Sequence, residues 1–498
     1  MPTLLQYAGK VVSLLGQKDN RNYAFILSKD EVLCAGAHLG EAAATYQTAL
    51  VNAMQNNLPL FKKKDAVWAL CTYKPSDMCI GMAGVAGVEL TAYWNGADVQ
   101  FSRIKNGISP TKLNNLTPSL PLECAVKLPF AWDANQTQAL AQAKNPALFN
   151  EAARKLTTAL ESKAALANTT RLKESSAIEA ALSDIPKSDP PGAGFAEADA
   201  DLVYANLVYG MVGQTWNPTA QNIDKSTLSG GEKLMGNNIA GILLDDKFQI
   251  VAWALNFAGE NVTFHAETLM LQYFLRQKGL QKLPANYKIY SSLQPCDMCG
   301  SFILHVGNNT EAVYCTPDAT LKTVLTASKT VATERQVRLA DQTAADLALA
   351  AKRMGANKAT SALLADPEDQ KYRSYMLANK GKVLSAPTMK RTDDLVKGAS
   401  PFNYTKDKVG ELDSSKSRLG FEFVKSADKV LDWAETSTNE KIKKAAKQGL
   451  EVFEALLTRG FTTAYGLKIT NKLFDVIYER NKPKPVVTPV AVVGVVGK

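Results

Sequence analysis

Apolar side chains recur at helical spacing along residues 262–274, which read V-T-F-H-A-E-T-L-M-L-Q-Y-F, and Thr263 is available to cap the start. The pattern predicts a helix whose first turn carries His265 and Glu267. Residues 287–293 predict a strand, which Pro295 ends; the same proline suits the first turn of a following helix over 296–306. Residues 311–316 predict another strand. Upstream, residues 134–183 are rich in Ala, Leu, Glu, Gln and Lys at helical period and predict two or three helices. The run S-D-P-P-G-A-G at 188–194 breaks helix and strand alike and reads as a linker. Downstream, residues 319–381 predict helix and 393–417 a long polar loop. Helix is predicted again over 419–447 and 449–459, and 461–478 continues it.

The predicted elements place chemistry at their ends. His265 and Glu267 fall at one helix start, and Cys296 and Cys299 at another. One imidazole and two thiolates bind Zn2+ and leave a fourth position for water. Two thiolates roughly neutralise the metal charge, and a helix start lowers their pKa through its N–H donors and dipole. Water at such a metal supplies hydroxide near neutral pH. Hydrolytic deamination also needs a proton carrier, and Glu267, two residues from the histidine, is the natural one. A purely structural zinc site would need a fourth protein ligand. The nearest candidates are His305, which reads as a packed or capping histidine, and Cys315, which reads as a core thiol in the 311–316 strand.

His-Ala-Glu at 265–267 with Pro-Cys-Asp-Met-Cys at 295–299 resembles the signature of the cytidine deaminase-like superfamily. The resemblance covers about 200–320, as a helix (201–212), a hairpin (238–256), motif helix, strand, motif helix and strand. Leu293 to Cys299 is most similar to the branch containing tRNA adenosine deaminases and guanine deaminase, although Gln294 stands where those usually have Glu. The resemblance implies an α/β fold, in three-layer α/β/α modules with a mixed sheet. It also implies a zinc-dependent hydrolase acting on a nucleobase C–N bond. Asn256 is similar in position to an asparagine that contacts the base in the family; a simple turn residue is the other reading.

The motif recurs in a broken form. At an offset of 220, Pro75-Ser76-Asp77-Met78-Cys79 matches the cysteine motif, Thr45 takes the place of His265, and Gln47 that of Glu267. Ala24 to Leu27 matches Ala240 to Leu243, and the strand at 311 has a counterpart over 89–94. Only Cys79 of the four chemical positions remains, so this copy is expected to bind no zinc by that route and to catalyse nothing. The tandem arrangement divides the chain into a degenerate deaminase-like domain (1–120), a helical connector and linker (121–195), a catalytic zinc deaminase domain (196–320) and a mostly helical basic C-terminal region (321–498). The resemblance allows pairing of the two deaminase-like domains within the chain, since deaminases of this superfamily often pair; a scaffold or solubility module is the other reading.

Composition narrows the partner. At 498 residues, 46% hydrophobic and 21% charged, the chain is ordinary globular protein of several domains. Residues 321–498 hold 31 Lys and Arg against 20 Asp and Glu, whereas the remainder is close to neutral. That asymmetry could help hold a polyanion, and the Lys cluster at 441, 443, 444 and 447 could touch phosphates; solvated helix faces are the plainer reading of both. Tyr372, Tyr375, Phe402 and Tyr404 interleave with basic residues and could stack bases or fill a core. Seven sparse cysteines argue against a disulfide framework. The segment 1–17 is amphipathic without the pattern of a secretory signal, no run of about 18 apolar residues exists, and 485–497 reads as a tail or edge strand. The expectation is a cytoplasmic protein with no membrane partner, deaminating cytosine or adenine within RNA or single-stranded DNA. A free base, nucleoside or nucleotide deaminase, a delivered deaminase toxin, and a non-enzymatic binding protein are the alternatives.

Overall fold

Alternation along each strand divides the apolar residues between two faces, and each face is covered by helices. The computed structural model describes residues 4–28, 31–41, 44–61, 67–96, 99–104, 146–167, 184–215, 236–318, 334–337, 418–459 and 461. They form two five-stranded mixed sheets.

The N-terminal unit runs α1 (Leu4–Asp19), β1 (Arg21–Leu27), β2 (Val32–Leu39), α2 (Ala49–Phe61), β3 (Val67–Cys71), α3 (Asp77–Val85), β4 (Val88–Trp94), β5 (Val99–Ile104) and α4 (Pro146–Leu166). Its sheet order is β2-β1-β3-β4-β5, with β3 and β4 parallel and β5 returning antiparallel to β4. Tyr23, Phe25 and Leu70 share one apolar cluster with Val12 of α1 and Leu160 of α4. Ala24, Ile26 and Cys71 face the other way, towards α2 and α3. The helix α4, expected to belong to a separate connector, therefore packs into this unit. The rest of that connector up to residue 183 lies outside the described residues.

The second unit runs α5 (Glu197–Gln214), β6 (Ala240–Leu244), β7 (Ile250–Leu255), α6 (Ala266–Gln277), β8 (Lys288–Leu293), α7 (Asp297–Val306), β9 (Glu311–Thr316) and β10 (Glu334–Gln336). Its sheet order is β10-β9-β8-β6-β7, with β8, β9 and β10 parallel. The first four strands of the two sheets thus share order and direction, and the fifth differs in direction. Where helix was expected over 319–381, the described part is the strand β10, so the sheet extends beyond residue 320. Arg335 of β10 holds it in place through Asp201 of α5 and through Glu311 of β9 at 2.8 Å.

Tyr290 and Ser291 illustrate the two faces. Tyr290 stacks at a tilt against Tyr204 of α5, while Ser291 meets Glu267 of α6. Helix α5 is buried on nearly all sides because α8 (Arg418–Thr436) and α9 (Glu440–Thr458) cover its outer face. The break between α8 and α9 falls at residues 437–439, earlier than the expected 447–449. Asn439 explains it: its Oδ1 accepts from the N–H groups of Lys441 and Ile442, which starts a new helix there. Part of the lysine cluster is engaged within the protein. Lys441 Nζ donates to the Ala193 carbonyl at 2.7 Å, and Lys444 lies 3.8 Å from Asp189. Tyr372, Tyr375, Phe402, Tyr404, the 393–417 segment and residues 462–498 lie outside the described residues. Among the described residues, no helix is long and apolar enough to cross a membrane.

One apolar core joins the two units. Helix α3 lies on α7, with a Cβ at Gly81 meeting the Met298 Cα at 2.9 Å. Tyr46 meets Phe302 edge to face, with ring centroids 6.4 Å apart.

Candidate active site

Two helix starts converge above β8. His265 is the N-cap of α6 and Cys296 the N-cap of α7, and neither side chain makes a capping hydrogen bond. Both are thereby left to face one another. His265 Nδ1 lies 3.4 Å from Cys296 Sγ and 3.5 Å from Cys299 Sγ, and the two sulfurs are 3.6 Å apart. Three ligands of one tetrahedral ion, at bond lengths of about 2.0–2.3 Å, stand roughly 3.5–3.8 Å from each other. The triangle has those dimensions, and among the described residues it is the group of His, Cys, Asp and Glu that could hold a metal ion.

Charge within the triangle is unevenly shared. The hydrogen bond between the sulfurs favours the Cys296 thiolate against the cost of burial, and His265 favours it further, so Cys296 sits well below the usual thiol range. Burial, followed by the neighbouring Cys296, holds Cys299 well above it. One thiol is therefore ready to ligate, and the second loses its proton to a metal.

Glu267 lies in the first turn of α6 and is 3% exposed. Its Oε1 accepts from Ser291 Oγ at 2.8 Å, and its Oε2 lies 3.3 Å from Cys299 Sγ. Burial raises its pKa, and the charge of Cys296 raises it further. A carboxyl in that setting takes up a proton readily. The sequence reading overlooked Ser291. The available signal was two consecutive serines within the predicted 287–293 strand.

Asn256 follows β7 and is fully buried. Its Oδ1 accepts from the Ala258 N–H at 2.9 Å, as a turn residue would, whereas its Nδ2 has no partner among the described residues. The other two candidate ligands are placed elsewhere. His305 Nε2 bonds the Thr45 carbonyl at 2.9 Å across the two units, and Cys315 is a buried thiol near the Ala205 carbonyl.

The N-terminal unit corrects one sequence reading. Thr45 and Gln47 do not occupy the places of His265 and Glu267, because α2 begins three residues later than the offset of 220 requires. Thr48 stands at the start of α2, where its Oγ1 accepts from the Val51 N–H and lies 3.0 Å from Cys79 Sγ. It corresponds to His265, and Leu50 to Glu267. The strand register agrees, since Ala24 pairs with Cys71 as Gly241 pairs with Ser291. Thr45 Oγ1 instead donates to Gln281 of the other unit at 2.9 Å. Ser76 caps α3 by accepting from the Cys79 N–H, the bond Cys296 does not make. The Tyr73 hydroxyl, buried beside these groups, accepts from the Leu50 N–H at 2.9 Å. Hydroxyls and an apolar side chain thus stand at the positions equivalent in the fold to the imidazole, one thiol and the carboxylate.

Residues 235–338 match the protein family described as Bd3614-like deaminase, a cytidine deaminase-like family. The match spans β6 to β10 with all four of His265, Glu267, Cys296 and Cys299. No curated protein matches the chain.

Proposed function

From a domain that belongs to the cytidine deaminase-like superfamily, we propose that this protein is a zinc-dependent hydrolytic deaminase acting on cytosine or adenine within RNA or single-stranded DNA. The observation that carries this reading is Glu267 sitting against the His265–Cys296–Cys299 triangle, 3.3 Å from Cys299 Sγ. His265, Cys296 and Cys299 would hold the zinc, which would supply Lewis-acid activation of water. Glu267 would carry two protons in turn: the first from the attacking water to the ring nitrogen, the second from the new carbon-bound hydroxyl to the amine, which leaves as ammonia. Ser291 fixes one carboxylate oxygen and leaves the other directed to the cysteines. Asn256 Nδ2, buried without a partner among the described residues, is offered as a donor to the base.

A polymeric substrate is favoured by the excess of Lys and Arg over Asp and Glu in the last third of the chain. The N-terminal unit takes no part in the chemistry, since Thr48, Leu50 and Ser76 provide no metal ligand set, and it pairs with the catalytic unit within the chain.

Ammonia release measured on free nucleosides, RNA oligomers and single-stranded DNA oligomers tests the proposal. Turnover of an oligomer that Glu267→Ala abolishes is the expected result. Turnover of free nucleosides alone would refute the polymeric substrate, and no release from any of the three would refute the enzyme. Sequencing the treated oligomers then separates C-to-U from A-to-I change.

A further inference from the structure

The catalytically silent unit reaches both halves of the metal triangle. Gln55 of α2 is 5% exposed, and its Nε2 donates to Thr263 Oγ1 at 3.2 Å and to Gln272 Oε1 at 3.1 Å. Gln272 Nε2 returns a bond to Gln55 Oε1 at 3.2 Å, and Asn261 Nδ2 donates to the Gln55 carbonyl at 3.2 Å. Thr263 passes the contact on. Its carbonyl accepts from Thr268 Oγ1, which also bonds the carbonyl of His265. On the other side of the triangle, α3 rests on Met298, which lies between the two cysteines. A Cβ at Gly81 would meet the Met298 Cα at 2.9 Å.

The pairing has the form of a two-fold contact. Gln55 and Gln272 are each seven residues beyond the residue that starts their helix, Thr48 and His265, and they bond one another reciprocally. Thr263 breaks the equivalence. The corresponding position in the N-terminal unit is Tyr46, which faces Phe302 instead. The extra bond from Gln55 to Thr263 is thus directed at the segment leading into the metal-binding histidine.

We infer that Gln55 is a positioning residue for the metal site: the N-terminal unit, through Gln55 on the 261–263 segment and Gly81 on the turn at Met298, sets the positions of His265 and the two cysteines. This rests on the metal-dependent reading above and adds the second unit as a structural part of that site. Groups that orient ligands from outside are typically worth about 10–100-fold in metal affinity.

The test uses the full chain, with zinc affinity from chelator competition, the cobalt-substituted absorption spectrum, and hydrogen exchange of residues 261–269 without metal. Gln55→Met removes the bond to Thr263 together with those to Gln272, while Gln272→Met removes only the latter. Gln55→Met should weaken zinc by about tenfold or more, alter the cobalt bands and speed exchange, whereas Gln272→Met should stay near the wild type. Thr263→Val and Gly81→Ala should each reproduce the loss, which keeps the test valid if Gln55→Met does not fold. Equal effects of Gln55→Met and Gln272→Met, or wild-type affinity in Gln55→Met, Thr263→Val and Gly81→Ala alike, would overturn the inference. A wild-type protein that binds no zinc would instead overturn the metal-dependent reading on which it rests.

Discussion

Ser291 donates a 2.8 Å hydrogen bond to Glu267, joining the central strand β8 to the first turn of α6 between two buried side chains. The bond holds the carboxylate in one rotamer with its second oxygen facing Cys299. In the N-terminal unit the corresponding strand position is Cys71 and the corresponding helix position is Leu50, so both partners of this pair are absent together.

Removing the carboxylate's proton capacity while keeping its shape should separate chemistry from binding. Glu267→Gln retains a side chain that Ser291 can still donate to, and it leaves the three candidate ligands untouched. Deamination is expected to fall by about 10²–10⁴-fold, the usual worth of a general acid–base group, with zinc content unchanged. Metal analysis beside a single-turnover rate checks both halves. A variant that keeps wild-type turnover would remove Glu267 from the mechanism.

Ser291→Ala tests the support rather than the proton carrier. The hydroxyl is fully buried and its acceptor is a carboxyl group. Losing a bond of this kind costs about 1–3 kcal/mol, divided between folding and catalysis. Turnover should drop by roughly an order of magnitude while substrate KM changes little, because the displaced group acts in the transition state. An unchanged rate with an unchanged melting temperature would show that the bond does not position Glu267.

Cys296→Ser exploits the comparison between the two units. Ser76 occupies this place in the N-terminal unit and caps α3 by accepting from the Cys79 N–H. Serine in place of Cys296 has the same opportunity on α7, and an N-cap bond of this type contributes about 0.5–2 kcal/mol. The metal-free variant should melt at or above the temperature of the metal-free wild type. It should nevertheless lose most of its zinc and the stabilisation that zinc brings. Melting curves with and without a chelator distinguish the two effects. Full zinc retention would exclude Cys296 from the ligand set.

Local pattern carried the candidate active site of the second unit. His265, Glu267, Cys296 and Cys299 were legible because the chemistry demands those residue types at the starts of two helices, and Pro295 and the flanking periodicity mark those starts. In the N-terminal unit the helix start at Pro75 to Cys79 was legible, whereas matching Ala24 to Ala240 was one residue out of register, since Ala24 pairs with Cys71 as Gly241 pairs with Ser291. Its histidine position was misassigned, because a three-residue shift between α2 and β3 leaves no chemical residue to anchor the alignment. The strand β10 was missed since residues 334–336 are too short and polar to stand out; it is held by the ion pairs of Arg335, which join residues far apart in sequence. Gln55 was invisible for the same reason: nothing local distinguishes it from any helical glutamine until Thr263 and Gln272 are brought beside it. At Asn256 the turn bond is local, whereas the burial of Nδ2 without a partner among the described residues is a property of the fold.

Glu311 links the catalytic sheet to pH. Burial alone would raise its pKa, but hydrogen bonds and charge from Arg335 and Lys288 outweigh burial and bring it below the ordinary glutamate value. The folded state therefore releases this proton more readily than the unfolded chain. Its contribution to stability is complete above the unfolded-state pKa and is lost as pH falls through the folded one. Lys288 lies 2.8 Å from the Glu311 carboxylate, and Arg335 ties the same carboxylate to Asp201, so acid should loosen the β9–β10 edge first. Glu311→Gln should lower stability near neutral pH and flatten the acid limb of the melting profile relative to wild type. The two curves should converge once the glutamate of the wild type is protonated. Melting temperature measured from neutral pH down through the glutamate range decides it, and parallel curves throughout would mean that Glu311 is not the group responsible.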